Sequence, residues 1–303
     1  MNILITGANG FLGSHITKKL ADEGHTVLAL SVNNNNLPCH KNIRFESFEL
    51  QNVKSKRKSI LSFAPDIVIH CAWIGGNAYK DANHATQFTN VIYGAEFLEI
   101  LAELQDLYFI CIGTMAEYGP KCVKVTEACG EQPESMYGVC KYMFNMLSKS
   151  VCKKNQFSWL WIRPSYIYGV NDVETRLIPK VIKKSLKNEN IILNSCNSIA
   201  DYLYIDDFVS GVHSLIKERA EGPYNVCSAQ EYKIKDVLSE ISKRIGSESK
   251  IIFDDSLDRE NDPSYVCGDN QKICRTTGWS PQINLGDGVE QVIKLLKGEE
   301  NAR

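Results

Sequence analysis

The run Thr6-Gly7-Ala8-Asn9-Gly10-Phe11-Leu12-Gly13 limits what this chain can fold into more than any other feature. It follows an apolar segment, Asn2 to Ile5, with the character of a strand. It opens a stretch from Phe11 to Glu23 with helical periodicity, closed by Gly24-His25. Glycines at 7, 10 and 13 let the backbone turn sharply and approach a pyrophosphate closely. The first N–H groups of the helix, with their partial positive charge, then face that anion. Gly7, Asn9, Gly10, Phe11, Leu12 and Gly13 are therefore the first candidate cofactor residues. A glycine triplet also has a plain reading, a tight turn without a ligand. Its place between a strand and a helix favours the dinucleotide.

Further along, apolar runs keep alternating with helical patterns. Val27 to Leu30 reads as a strand, and Asp66 to Ala72 as a strand buried on both faces. Asn90 to Glu103 reads as a helix, Tyr108 to Ile112 as a buried strand, Met136 to Val151 as a helix, and Trp159 to Ile162 as a strand ending at Arg163-Pro164. This order predicts an α/β fold, a doubly wound parallel sheet of Rossmann type, over residues 1–168, with a return segment near 200–225. After Gly169 strands shorten and polar loops separate helices such as Ile234 to Ile245. Residues 169–303 are expected to form mainly a smaller substrate-binding region over the carboxyl edge of the sheet. With 303 residues, 44% of them hydrophobic, the chain can fill such a core.

Net charge is -2, so no general nucleic-acid or membrane-surface partner is expected. The N-terminus carries no basic segment or cleavage site, and no apolar run reaches membrane-spanning length. A cytoplasmic location follows as an expectation. The eleven cysteines lack metal-type spacing and read as reduced thiols; no metal site is expected.

The end of the second strand decides how an adenosine ribose is met. An acid there grips the 2′-hydroxyl of NAD, and a nearby base accepts the 2′-phosphate of NADP. The sequence reads Leu30-Ser31-Val32-Asn33, with neither, followed by a polar loop over Asn33 to Asn36. Without a carboxylate at Ser31, NADP(H) is favoured slightly over NAD(H). Glu49-Leu50 is a candidate for the adenine amine, or a plain solvated loop.

Tyr137-Gly138-Val139-Cys140-Lys141 places a phenol and an ammonium on one helix face. A cation near a tyrosine lowers its pKa from about 10 and eases proton transfer. Upstream, Cys111-Ile112-Gly113-Thr114 ends a buried strand, and a hydroxyl there faces the ligand crevice. Thr114 can then bind the oxygen that Tyr137 protonates.

The glycine loop, Thr114-Met115-Ala116-Glu117-Tyr118-Gly119, Tyr137-x-x-x-Lys141 and Arg163-Pro164-Ser165-Tyr166-Ile167-Tyr168-Gly169 together resemble the extended short-chain dehydrogenases, the family of NAD-dependent sugar epimerases, dehydratases and reductases. Asp201 to Asp207, Arg259 to Asp262, Gly268-Asp269 and Gly278-Trp279-Ser280-Pro281 extend the resemblance to nearly the whole chain. It implies catalytic roles for Thr114, Tyr137 and Lys141, with Asn90 helping to place the lysine, and a diphosphate-gripping role for Arg259. It also implies a homodimer built on the helices of Asn90 and Tyr137.

Departures narrow the chemistry. The family's dehydratases carry Asp-Glu after the catalytic threonine; Met115 and Ala116 stand here and cannot move a proton. Members that act through a carbanion use a Cys and a His, and Cys111 has no convincing His partner. The run His70-Cys71-Ala72-Trp73-Ile74-Gly75-Gly76 resembles a variant found in ketoreductive members, which places Ala72 at the cofactor and Trp73 at the substrate, although Trp73 reads equally as a core aromatic. Ala200 replaces a frequent phosphate-binding arginine, and Tyr166 a frequent asparagine, so the pocket that includes Met115, Ala116 and Tyr166 is reshaped. The expected activity is NAD(P)H-dependent reduction of a nucleotide-linked 4-keto-6-deoxyhexose. Two alternatives stay open: a 4-epimerase with tightly bound NAD, and a non-catalytic NADP-sensing protein, although such proteins commonly lose the tyrosine or lysine kept here.

Overall fold

The computed structural model describes residues 1–75, 84–246, 250–258 and 263–301. Seven parallel strands form its main sheet: β1 (Asn2–Thr6), β2 (Thr26–Ser31), β3 (Ile43–Ser47), β4 (Ile67–His70), β5 (Tyr108–Ile112), β6 (Ser158–Pro164) and β7 (Gly222–Val226). Their order across the sheet is β7-β6-β5-β4-β1-β2-β3. The order reverses between β1 and β4, which opens a crevice at the carboxyl ends of these two strands. The connecting helices are α1 (Phe11–Asp22), α2 (Arg57–Phe63), α3 (His84–Leu101), α4 (Met136–Lys154), α5 (Leu177–Leu186) and α6 (Ile205–Lys217).

Alternation along β1 sends successive side chains to opposite faces. Ile3 and Ile5 pack with Ile16 and Leu20 of α1 and with Phe208, Val212 and Leu215 of α6. Leu4 points the other way, into a layer with Val68, Phe97 and Leu98 of α3, Phe109, Phe144 of α4 and Trp161. Each such fully buried side chain contributes about 1.5–3 kcal/mol of transfer free energy. The continuous apolar runs read from the sequence are thus strands covered on both faces.

Three differences from the sequence reading have physical reasons. β3 and α2 lie at the edge of the sheet, where a half-exposed strand (Ile43 and Phe45 inward) and a short helix leave little periodic signal. The helix expected from Asn90 spans His84–Leu101; its start is hidden in the sequence because the buried Gln87 is polar while the apolar Phe88 and Ile92 are exposed. The buried run expected to be strand through Ala72 ends its pairing at His70.

Short strands Tyr166–Tyr168 and Tyr202–Tyr204 pair beyond the main sheet. The carboxylate of Asp201 accepts hydrogen bonds from the N–H and hydroxyl of Ser228 and from the N–H of Ala229, at 2.9, 2.7 and 3.0 Å. Asp207 accepts from the N–H groups of Gln282 and Ile283. These two acids tie late segments to the carboxyl edge. All eleven cysteines are free thiols. Among the described residues no helix is long and apolar enough to cross a membrane.

Candidate active site

The glycine loop closes tightly on the end of β4. Gly7 has φ +67°, and a Cβ on it would lie 2.7 Å from the backbone nitrogen of Ala72. The Ala72 N–H in turn donates to Thr6 Oγ1 at 3.3 Å. Gly10 caps α1 without a side-chain hydrogen bond, which leaves the first turn of Phe11, Leu12 and Gly13 presenting backbone N–H groups at the crevice. These features fit a dinucleotide pyrophosphate.

At the adenosine end the surroundings are uncharged amides and one hydroxyl. The Asn9 N–H donates to Ser31 Oγ at 3.2 Å, and Asn9 Nδ2 donates to Asn33 Oδ1 at 2.6 Å. Asn36 closes the ring, its N–H donating to Asn9 Oδ1 at 2.6 Å. Glu49 is exposed and accepts from the side-chain amides of Gln51 and Asn52. Leu50 is buried in the core layer beneath it.

Across the crevice, Thr114 follows β5 and Tyr137 opens α4, whose N-cap Ser135 accepts from the Gly138 N–H at 3.1 Å. Burial pushes the Tyr137 phenol up to about 12; the neighbouring Thr114 side chain opposes this, and the Glu117 charge adds to it. Lys141 is 4% exposed. Its ammonium donates to the Ile112 carbonyl at 2.8 Å and lies 4.0 Å from the centroid of the Trp73 ring, against 5.9 Å for the Tyr137 ring. Burial lowers its pKa, opposed by Cys111, Glu117 and Cys71. Burial dominates at Tyr137 and favours its protonated form.

A family model described as "NAD dependent epimerase/dehydratase family" matches residues 3–227. The chain belongs to that family. It is an NAD(P)-dependent enzyme of the extended short-chain dehydrogenase type. A CDP-abequose synthase of Salmonella muenchen is 26% identical over 297 residues, 97% of each chain. A dTDP-6-deoxy-L-talose 4-dehydrogenase (NAD(+)) of Aggregatibacter actinomycetemcomitans is 26% identical over 244 residues, 79% of this chain and 89% of its own. The crystal structure of a Thermus thermophilus UDP-glucose 4-epimerase in complex with NAD shares the fold, with a TM-score of 0.90 at 21% identity over 98% of this chain and 99% of that one.

Within this epimerase/dehydratase frame, not every residue singled out from the sequence reaches the crevice. Asn90 is fully buried and holds the loop after β4: its Oδ1 accepts from the Ile74 N–H at 2.6 Å and its Nδ2 donates to the Ile74 carbonyl at 3.0 Å. It acts on the loop of Trp73 and makes no direct contact with Lys141 among the described residues. Met115 is buried in a small apolar cluster with Tyr118, Val125 and Cys227. Ala116 is half-buried and its N–H donates to Thr114 Oγ1 at 3.2 Å. Tyr166 is half-buried, its ring packed at 5.7 Å on that of Tyr202. Arg259 lies outside the described residues. Cys111 is fully buried with its thiol pushed up by burial, and His70 is driven down to about 3 by burial and by Lys141. Neither is poised for proton abstraction from carbon.

One site element escaped the sequence reading. Glu117 is fully buried beneath the Thr114 turn. It accepts from the Thr114 N–H at 2.9 Å, from Asn145 Nδ2 at 3.1 Å, from Trp161 Nε1 at 2.9 Å and from Arg163 Nε at 2.9 Å. Arg163, also fully buried, continues to Tyr118 and Glu131. Gly113 has no side chain because one would run into Glu117 and the Trp161 indole. The sequence signal was present: an acid inside a turn that otherwise reads as apolar, and an arginine at the end of a buried strand.

Proposed function

We propose that the protein reduces the 4-keto group of a nucleotide-linked 4-keto-6-deoxyhexose with NAD(P)H. The observation that carries this reading is the buried Tyr137 phenol beside Thr114, favoured in its protonated form, with a packed Met115 and an Ala116 where an elimination would need proton-transferring groups. The Aggregatibacter relative is named for redox chemistry at position 4 of a dTDP-linked 6-deoxy sugar, which supports the same class of reaction.

Gly7, Asn9 to Gly13, Ser31, Ala72 and Lys141 would hold the cofactor. A bound NAD(P)H supplies the hydride to the sugar carbon. Thr114 orients the carbonyl oxygen, and Tyr137 passes its proton to that oxygen as negative charge develops there. A phenol held protonated by burial suits this direction. Lys141 then compensates the tyrosinate left behind, a Coulombic effect strengthened by its burial. The neutral surroundings formed by Asn9, Ser31 and Asn33 place no carboxylate against a 2′-phosphate, and we favour NADP(H) over NAD(H).

A homodimer through α3 and α4 is part of the reading. These helices pack together and expose Phe88, Ile92, Met143 and Met146 on their outer side.

The test is a panel of dTDP-, CDP-, GDP- and UDP-linked 4-keto-6-deoxyhexoses with NADH or NADPH, followed at the nicotinamide absorbance. One cofactor oxidised per sugar reduced is expected. Ketones left unreduced, with 4-epimers of the matching 4-hydroxy sugars interconverted without net cofactor consumption, would mean an epimerase instead.

A further inference from the structure

We propose that Trp73 is a positioning residue for Lys141: its indole face holds the ammonium by a cation–π contact and so fixes where the lysine charge stands relative to the Tyr137 hydroxyl. This deepens the reading above and rests on it for the kinetic part of its test only.

The geometry behind it is specific. The ammonium lies 4.0 Å from the centroid of the Trp73 ring, while the ring itself meets Tyr137 edge-on at 6.2 Å between centroids. One indole thus touches both groups. Cation–π attraction gains in strength where water is excluded, and Lys141 is buried. Hydrogen bonding leaves room for it: the Ile112 carbonyl takes one of the three ammonium protons. Around the cation stand the thiols of Cys71 and Cys111, the carboxylate of Glu117, which is bonded to Arg163, the His70 ring, and Tyr137 on the same helix. The indole supplies a uniform electron-rich face among these groups.

The ring is also held in place. Trp73 Nε1 donates to Gln87 Oε1 at 2.8 Å, and Gln87 Nε2 donates to the Gly75 carbonyl at 3.2 Å. Asn90 clamps both backbone groups of Ile74. Gln87 and Asn90, one turn apart on α3, are both essentially inaccessible. Two buried amides grip three successive residues, which gives the indole a fixed orientation and explains why Gln87 and Asn90 are buried although polar. Asn90 therefore acts on Lys141 through Trp73.

Two measurements test this. Protein grown with 5-fluorotryptophan gives one fluorine resonance for each of the four tryptophans, and Trp73→Phe identifies that of Trp73. Lys141→Met is expected to move the Trp73 resonance more than the other three; an unmoved Trp73 resonance would overturn the proposal. In steady state on a 4-keto sugar, Trp73→Leu is expected to lower kcat about tenfold, the size of one buried cation–π contact, with KM for the sugar nearly unchanged. Trp73→Phe, which keeps an aromatic face, should recover most of that loss. A rise in KM at constant kcat would instead make Trp73 a sugar contact and defeat the proposal. If no sugar is reduced by the native protein, the functional reading fails, while the fluorine spectra still decide the role of Trp73.

Discussion

Tyr137 concentrates the chemistry because its environment penalises the charged form. Desolvation pushes the phenol up to about 12. A general acid works while it is protonated, so Tyr137 on its own account leaves the rate of ketone reduction level from about pH 6 to 9. Tyr137→Phe should lower kcat by about 10²–10⁴-fold, with cofactor binding by nicotinamide fluorescence little changed. A second residue carries a stability prediction. Asp172 sits near Arg176, and burial pushes its carboxyl up to about 6 from an unfolded value near 4. A raised acid contributes stability fully below the unfolded pKa, and that contribution is lost as pH rises through the folded value. Asp172→Asn should therefore stabilise the protein by up to about 3 kcal/mol at neutral pH, and by only about half as much at pH 5, as read from urea melts at the two pH values. Tyr137, Thr114 and Lys141 were legible because their types and spacing state a chemistry. The orientation of Lys141 was not, since the burial that raises the phenol and the indole that draws the ammonium are properties of packing.

At the scale of elements, the Thr114 turn, α4 and β6 are joined by one buried carboxylate. Removing it leaves the Arg163 guanidinium buried with Glu131 and the Tyr118 hydroxyl and frees the Thr114 N–H. Glu117→Ala should cost about 3–5 kcal/mol in chemical unfolding, since breaking a buried pair exposes the desolvation cost of the other charge. A change below about 1 kcal/mol would mean that the network is solvated. The central strands were readable because a strand covered on both faces is a continuous apolar run, as at Ile67 to His70 and Tyr108 to Ile112. β3 and α2 were not, because edge elements bury too few side chains to write a period. The start of α3 was hidden for a related reason: Gln87 and Asn90 are buried by hydrogen bonds to the Trp73 loop, and polar residues buried this way do not resemble a core face.

The whole molecule joins a seven-stranded sheet to a cap of short strands and helices, and its crevice lies where the strand order reverses. Phe88, Ile92, Met143 and Met146 form the outer face of α3 and α4. Replacing Ile92 and Met146 together by Asp should convert a dimer to monomers in sedimentation velocity while the circular dichroism of the fold persists; an unchanged mass would place any dimer elsewhere. The central claim, that Tyr137 and a bound nicotinamide reduce one sugar carbon, is tested most directly with deuterated cofactor. Incubating the protein with a nucleotide-linked 4-keto-6-deoxyhexose and NADPH carrying deuterium at the transferring position should give a 4-hydroxy product with one deuterium at C4 per cofactor oxidised. Tyr137→Phe should give almost none. Recovery of the 4-keto sugar unreduced, with no cofactor consumed, would contradict it.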